Sequence, residues 1–78
     1  MYNTIAFKQM QNTIKMLYGN MAWLDASEIT EQGVSGMFIG AMDWQSASQA
    51  AETLVKVYGL TVTDFGGRKG TGAWMAVI

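Results

Sequence analysis

Two segments of this 78-residue chain share one apolar pattern and end in the same dipeptide. In the first segment, apolar residues recur at spacings of three and four, which predicts one stripe on a helix: Phe7, Met10, Ile14 and Leu17. Asn3 or Thr4 can cap the start of this helix. It ends at Tyr18-Gly19, where the glycine can adopt the left-handed conformation that commonly follows a helix.

The second segment, SASQAAETLVKVYG, follows the same pattern and ends at Tyr58-Gly59. Ser46 and Gln49 have the spacing of a capping box, which predicts that this helix begins near residue 46. Its predicted stripe is made largely of small residues: Ala47, Ala50, Ala51, Leu54 and Tyr58.

An extended stretch, a polar turn and a second apolar stretch follow each predicted helix. The segment 35–42, SGMFIGAM, aligns with the segment 71–78, TGAWMAVI. We therefore interpret residues 1–78 as a single domain whose halves, 3–42 and 46–78, are diverged copies of one helix–strand–strand unit. An alternative for residues 27–32 is a helical turn capped by Ser27 in place of a strand.

The second strand of each unit is the more apolar, which suits the centre of a sheet, whereas the first strands suit its edges. This reasoning predicts an α+β two-layer sandwich with the order αββαββ and both helices on one face. The predicted strand order is 3-4-2-1, with strands 2 and 4 parallel to each other. The topology resembles a circular permutation of the ferredoxin-like sandwich.

Side chains alternate between the two faces of a strand, and both faces of the central strands are apolar. In strand 2, for example, Met37 and Ile39 point one way while Phe38 and Gly40 point the other. One face packs against the helices. We expect the open face to be covered by a target protein or by a second copy of the chain, as a homodimer.

The composition excludes several chemistries. The chain has no cysteine and no histidine, so thiolate nucleophiles and the commonest general base and metal ligand are absent. We expect no enzymatic activity, no cofactor and no metal. The formal net charge of −1 argues against nucleic acid as a partner. The lack of a long apolar run or signal-peptide pattern predicts a cytoplasmic protein without a membrane segment.

The stretch DFGGRKGTG at residues 64–72 resembles a phosphate-binding loop only in composition. Lys69 precedes Gly70 and a predicted strand follows, whereas a phosphate-binding loop needs Gly-Lys-Ser/Thr leading into a helix. The stretch instead predicts a hairpin turn. If strands 2 and 4 run parallel, this basic tip (Arg68, Lys69) lies at the same end as an acidic one (Glu28, Glu31). The two tips would then form a dipolar rim that orients a partner.

Aromatic residues provide the remaining candidate contacts. Phe38 and Trp74 occupy matching positions on the predicted central strands, as base-stacking aromatics do in RNA-recognition domains. No lysine or arginine flanks them, so a protein interface is favoured over base stacking. Trp44, next to Asp43 at the start of the second helix, is predicted to be an exposed anchor, and Asp43 is also a candidate helix cap.

The size, the absence of catalytic residues and the organisation of MFIGAMDWQSASQAAETLVKVYGLTVTDF are similar to those of small phage and mobile-element inhibitors, including anti-CRISPR proteins. The resemblance implies a non-enzymatic module that occludes the surface of a host or defence protein complex in the host cytoplasm. Many such inhibitors are strongly acidic, and the near neutrality of this chain favours a protein surface over competition with nucleic acid. The alternative is a homodimeric structural or small-ligand-binding module that pairs through the open face.

Overall fold

The structure is a computed structural model that describes residues 2–68 and 72–77. Its helices are α1 (Thr4–Tyr18) and α2 (Trp44–Tyr58). Its strands are β1 (Ala22–Thr30), β2 (Gly33–Ala41), β3 (Val62–Arg68) and β4 (Gly72–Val77). The element order is therefore αββαββ, as predicted. Residues 27–32 belong to β1 and the hairpin turn that follows it, so the alternative of a helical turn is wrong.

The two helices begin and end in matching ways. The side chain of Asn3 accepts a hydrogen bond from the Ala6 N–H at 3.0 Å, and Asp43 accepts one from the Ser46 N–H at 2.7 Å. Both helices are followed by a glycine with positive φ. The predicted capping box of Ser46 and Gln49 is wrong, because Asp43 caps α2 and Ser46 lies within its first turn as a donor.

The sheet has the order β1-β2-β4-β3, which is the predicted order read from the opposite edge. The predicted two-layer α+β sandwich is confirmed. The prediction that strands 2 and 4 run parallel is wrong, since β2 and β4 pair antiparallel. A 15-residue helix spans about 22 Å, which returns the chain to the end of the sheet where β2 began. β3 therefore runs parallel to β2, and β4 runs back after the hairpin.

The core lies between the helices and one face of the sheet. The helices contribute six fully buried residues: Phe7, Met10, Ile14, Ala47, Ala50 and Leu54. Beneath them, the inward residues of the strands include Leu24, Ile39 and Met75. The buried residues of α1 all have large side chains, whereas two of the three buried residues of α2 are alanines. The first helix therefore supplies most of the helical core volume.

The two halves of the chain make matching contacts between the helices and within the sheet. The Tyr18 hydroxyl lies 2.6 Å from the Thr53 hydroxyl, and the Tyr58 hydroxyl lies 2.8 Å from that of Thr13. In the sheet, the pairs Met37–Val77 and Ala41–Ala73 are placed symmetrically about the pair Ile39–Met75. The relation between the halves is therefore that of a local twofold, with β2 and β4 meeting at its centre.

Candidate functional site

A row of alternating tryptophan and glycine crosses the face of the sheet that the helices leave open. Gly40 pairs with Trp23 on one side and with Trp74 on the other, and Trp74 pairs in turn with Gly66. The indole of Trp23 lies over Gly40, where a Cβ would overlap the ring. The glycine thus provides the flat backbone surface on which the indole packs.

Three aromatic rings form one cluster on this open face. The Trp74 ring centroid lies 6.4 Å from that of Trp23, with the ring planes 84° apart in an edge-to-face arrangement. It lies 5.4 Å from the centroid of Phe38, with the planes 49° apart. Both separations are within the range in which aromatic pairs attract. We call this surface, composed of Trp23, Phe38, Trp74 and the intervening Gly40 and Ala76, the aromatic face.

The rings of the aromatic face are half-buried and lie in contact with one another. The buried residues of both helices pack on the opposite face with Ile39 and Met75. Contiguous aromatic surface left in contact with water is typical of a binding site, because its burial against a partner is favourable.

The alternation of side chains between the two faces slips by one residue near the β1–β2 hairpin. Met37 and Val34 are three residues apart on β2, yet both belong to the core on the helix side. Gly36 lies between them with a φ of 65°, in the left-handed region that favours glycine. The slip moves Ser35 to the aromatic face.

Two carboxylates lie along the β1 side of the aromatic face. Asp25 pairs with Phe38 and is exposed. Beyond the slip, Ile29 pairs with the core residue Val34, so Glu28 belongs to the opposite face, together with the aromatic rings. Glu28 is also exposed. The face therefore combines an apolar centre with an acidic margin.

The structure brings together only some of the predicted site residues. Phe38 and Trp74 are in ring contact, joined by Trp23, which the sequence analysis did not place in the site. Trp44 is 42% exposed, as predicted. Within the described part of the chain, its ring is not in contact with the three clustered rings. It begins α2, close in sequence to Met42, which is 61% exposed.

The carboxylate of Asp43 is engaged by its own helix. The N–H and the hydroxyl of Ser46 donate hydrogen bonds to it, which hold the pKa of the Asp43 carboxyl below its ordinary value of 3.8. Its contribution within this structure is to start α2 next to Trp44. Lys56 is also engaged within its own helix, because its ammonium group forms an ion pair at 2.5 Å with Glu52, one turn away.

The predicted dipolar rim is wrong, because the β1–β2 turn and the Arg68–Gly72 pair of the other hairpin lie at opposite ends of the sheet. Glu31 lies in the turn before Gly33, at the start of β2. The other hairpin closes at Arg68 and Gly72, next to the pairing of Ala73 with the end of β2. This follows from the antiparallel pairing of β2 with β4. Arg68 is described by its backbone, and Lys69 lies outside the described residues.

A groove of about 660 Å³ with a mixed polar and apolar lining runs between α1 and the outer edge of β1. Its lining includes Lys8 and Lys15 on the helix and Asp25 on the strand. The side-chain amide of Gln11 donates to the Leu24 carbonyl at 2.8 Å, which occupies a backbone acceptor of this edge strand. Trp23 lines the groove as well, so the groove brings the two lysines of α1 next to one edge of the aromatic face.

Across residues 2–68 and 72–77, no three carboxylates lie close enough together to bind a metal ion. No helix in that part of the chain has the length and apolar character needed to cross a bilayer. No protein-family model, curated protein or solved structure matches the chain.

Proposed function

We propose that the chain is a non-enzymatic protein-binding module whose aromatic face docks on a target protein and occludes its surface. The observation that carries this proposal is the cluster of Trp23, Phe38 and Trp74 on a sheet face that the helices do not cover. Tryptophan and other aromatic residues dominate the binding energy of protein interfaces, because they bury a large apolar area with few rotamers.

Inhibition is the mode of action that we propose for this module, in line with its resemblance in size and organisation to the small phage and mobile-element inhibitors. A face of this kind needs no chemistry of its own, since occupying a surface on the target is enough to block it. The nearly neutral net charge supports a protein surface as the target in preference to a nucleic-acid channel.

A matched comparison of immobilised variants tests the proposal. The bait carries Phe38→Ala together with Trp23→Ala, and the control carries Leu17→Ala together with Val57→Ala. The control residues are apolar and 60% and 65% exposed on the helices, away from the aromatic face. We expect the wild type and the control to capture the same specific protein from a host lysate and the face variant to lose it, with circular dichroism confirming that all three are folded.

Light scattering on the purified wild type is the companion measurement. A monomer at micromolar concentration leaves the aromatic face free for a target. A stable dimer that the face variant dissociates would instead assign the face to a second copy of the chain. In that case the module would be homodimeric, and the proposal of target occlusion through this face would fail.

A further inference from the structure

The methionines of the chain fall into a buried group and an exposed group. Six of the seven lie in the described part of the chain. Three of these belong to the core and are at most 8% exposed, whereas the other three are at least 43% exposed. The core group is Met10, Met37 and Met75, and the exposed group is Met16, Met21 and Met42. An oxidant in solution reaches a thioether sulfur only where the side chain is accessible, so the two groups differ in their reactivity.

Two of the exposed methionines are neighbours at one end of the aromatic face. The Met42 N–H donates a hydrogen bond to the Met21 carbonyl at 2.9 Å, which continues the pairing of β1 with β2 one step beyond Ala22 and Ala41. Since Ala22 and Ala41 belong to the core, the alternation of side chains places Met21 and Met42 on the opposite side of the sheet, where Trp23 also lies. We call these two residues the methionine pair. It adds apolar surface to the aromatic face at the end of the sheet where β1 begins.

Oxidation changes the surface that the methionine pair presents. The thioether of methionine is apolar and polarisable, and it packs readily against the apolar groups of a partner. When hydrogen peroxide oxidises it, the sulfur lone pair attacks one peroxide oxygen and forms the S–O bond as the O–O bond breaks. The other oxygen takes the proton of the first and leaves as water, so the sulfur loses two electrons and the peroxide gains them. The sulfoxide product is a polar hydrogen-bond acceptor that is costly to bury without a donor.

We propose that the methionine pair is an oxidation site at which peroxide switches off docking through the aromatic face. The inference rests on the proposed function and adds a form of regulation to it. A partner that docks against Trp23 also covers the adjoining methionine pair, so the two sulfoxides would have to lose their water on binding. Reductases that act on methionine sulfoxide restore the thioether, with one enzyme for each sulfoxide epimer, and therefore make the change reversible.

Methyl spectra test whether oxidation is confined to the exposed group. The protein is isotope-labelled at the methionine methyl groups and treated with dilute hydrogen peroxide while folded. Each methyl group gives one signal in a proton–carbon correlation spectrum, and this signal moves when the sulfur is oxidised. We expect the signals of the methionine pair and of Met16 to be replaced while those of the three core methionines persist. Oxidation of the core methionines as fast as the methionine pair would overturn the site.

Leucine variants test whether the methionine pair carries the effect. Met21→Leu with Met42→Leu keeps the apolar volume and removes both sulfurs, and Met16→Leu is the matched control on α1. Before oxidation, we expect the wild type and both variants to capture the same target protein from a host lysate equally well. After oxidation, we expect the wild type and the control to lose affinity by about tenfold or more, as interfaces with unsatisfied polar groups do, and the double variant to retain it. An equal loss in the double variant would overturn the proposal.

The failure of this inference can be told apart from the failure of the proposed function. Capture that depends on Trp23 and Phe38 but survives complete oxidation of the methionine pair would sustain target binding and refute the switch. If the unoxidised protein captures no target, the proposed function fails and the switch fails with it. Circular dichroism of the oxidised wild type is expected to match that of the untreated protein. Unfolding on oxidation would also refute the switch, because the loss of capture would then come from the fold and not from the surface.

Discussion

The indole of Trp23 lies over Gly40, the residue with which it pairs across β1 and β2. This packing brings the Trp23 ring inward to the edge-to-face contact with Trp74. The position of the aromatic cluster thus depends on a residue without a side chain. The same relationship explains why Gly40 is buried although it lies on the face that the helices leave open.

Gly40→Ala is expected to displace the Trp23 indole. The added Cβ overlaps the ring, so the indole has to move, and we expect a loss of about 1–3 kcal/mol in the free energy of unfolding. Urea denaturation measures the loss, and the Trp23 indole N–H signal reports the movement. Ala76→Gly is the control, because Ala76 occupies the equivalent position next to Phe38 and already carries a Cβ. An unshifted Trp23 signal in Gly40→Ala would contradict the packing described.

The tyrosine–threonine hydrogen bonds between the helices are expected to stabilise the fold to a similar extent. Tyr18→Phe and Tyr58→Phe each remove a hydroxyl that bonds to a threonine of the other helix, at a cost of about 0.5–1.5 kcal/mol. Thermal or urea unfolding gives the values. Tyr2→Phe is the control, since its hydroxyl is 3.8 Å from the Met10 sulfur and makes only a weak interaction. A loss confined to one of the two tyrosines would show that the halves are not equivalent here.

The stability of the protein is expected to depend on pH through the Asp43 cap. The pKa of the Asp43 carboxyl is lowered in the folded state by the N–H and hydroxyl of Ser46. Its contribution is therefore present above the unfolded pKa, near 3.8, and is lost as the pH falls through the lower folded value. Asp43→Asn keeps an acceptor and removes the titration, so urea midpoints between pH 2 and 6 should change less in this variant than in the wild type. Identical pH profiles would show that the cap does not titrate with folding.

Leu54 and Val57 lie on the buried side and the exposed side of the same helix, α2. Leu54 is fully buried, and Leu54→Ala is expected to cost about 2–5 kcal/mol. Val57 is 65% exposed, and Val57→Ala should change the stability by less than about 0.5 kcal/mol. Urea denaturation of both variants is the measurement. A large effect of Val57→Ala would mean that this side of α2 is covered, for example by a second copy of the chain.

The local elements and the order of the strands could be predicted from the sequence. The spacing of Phe7, Met10 and Ile14 marks α1, and the two Tyr-Gly dipeptides mark where the helices end. The more apolar strands take the centre of the sheet, where each pairs with a strand on both sides. These signals are patterns along one segment of the chain, so they can be recognised without knowing which segments are in contact.

The direction of the strands and the composition of the site could not be predicted in the same way. The parallel prediction for strands 2 and 4 overlooked that a helix returns the chain to the end where the preceding strand began. The place of Trp23 in the cluster depends on the register that sets it opposite Gly40, which is a contact between strands and not a pattern along one of them. The start of α2 could not be predicted because Asp43 and Ser46 can both cap a helix, and only the structure shows that Asp43 does so.

The local twofold of the fold does not extend to the chemistry of its open face. The twofold relates Phe38 to Trp74, but the position equivalent to Trp23 is occupied by Thr63, as the pairings with Gly40 and Ala76 show. One half of the surface therefore carries the Trp23 indole where the other half carries the smaller side chain of Thr63. A partner that docked on this surface would lose its contact with the Trp23 indole if it were turned by 180°, so the asymmetry would distinguish the two orientations on a nearly symmetric scaffold.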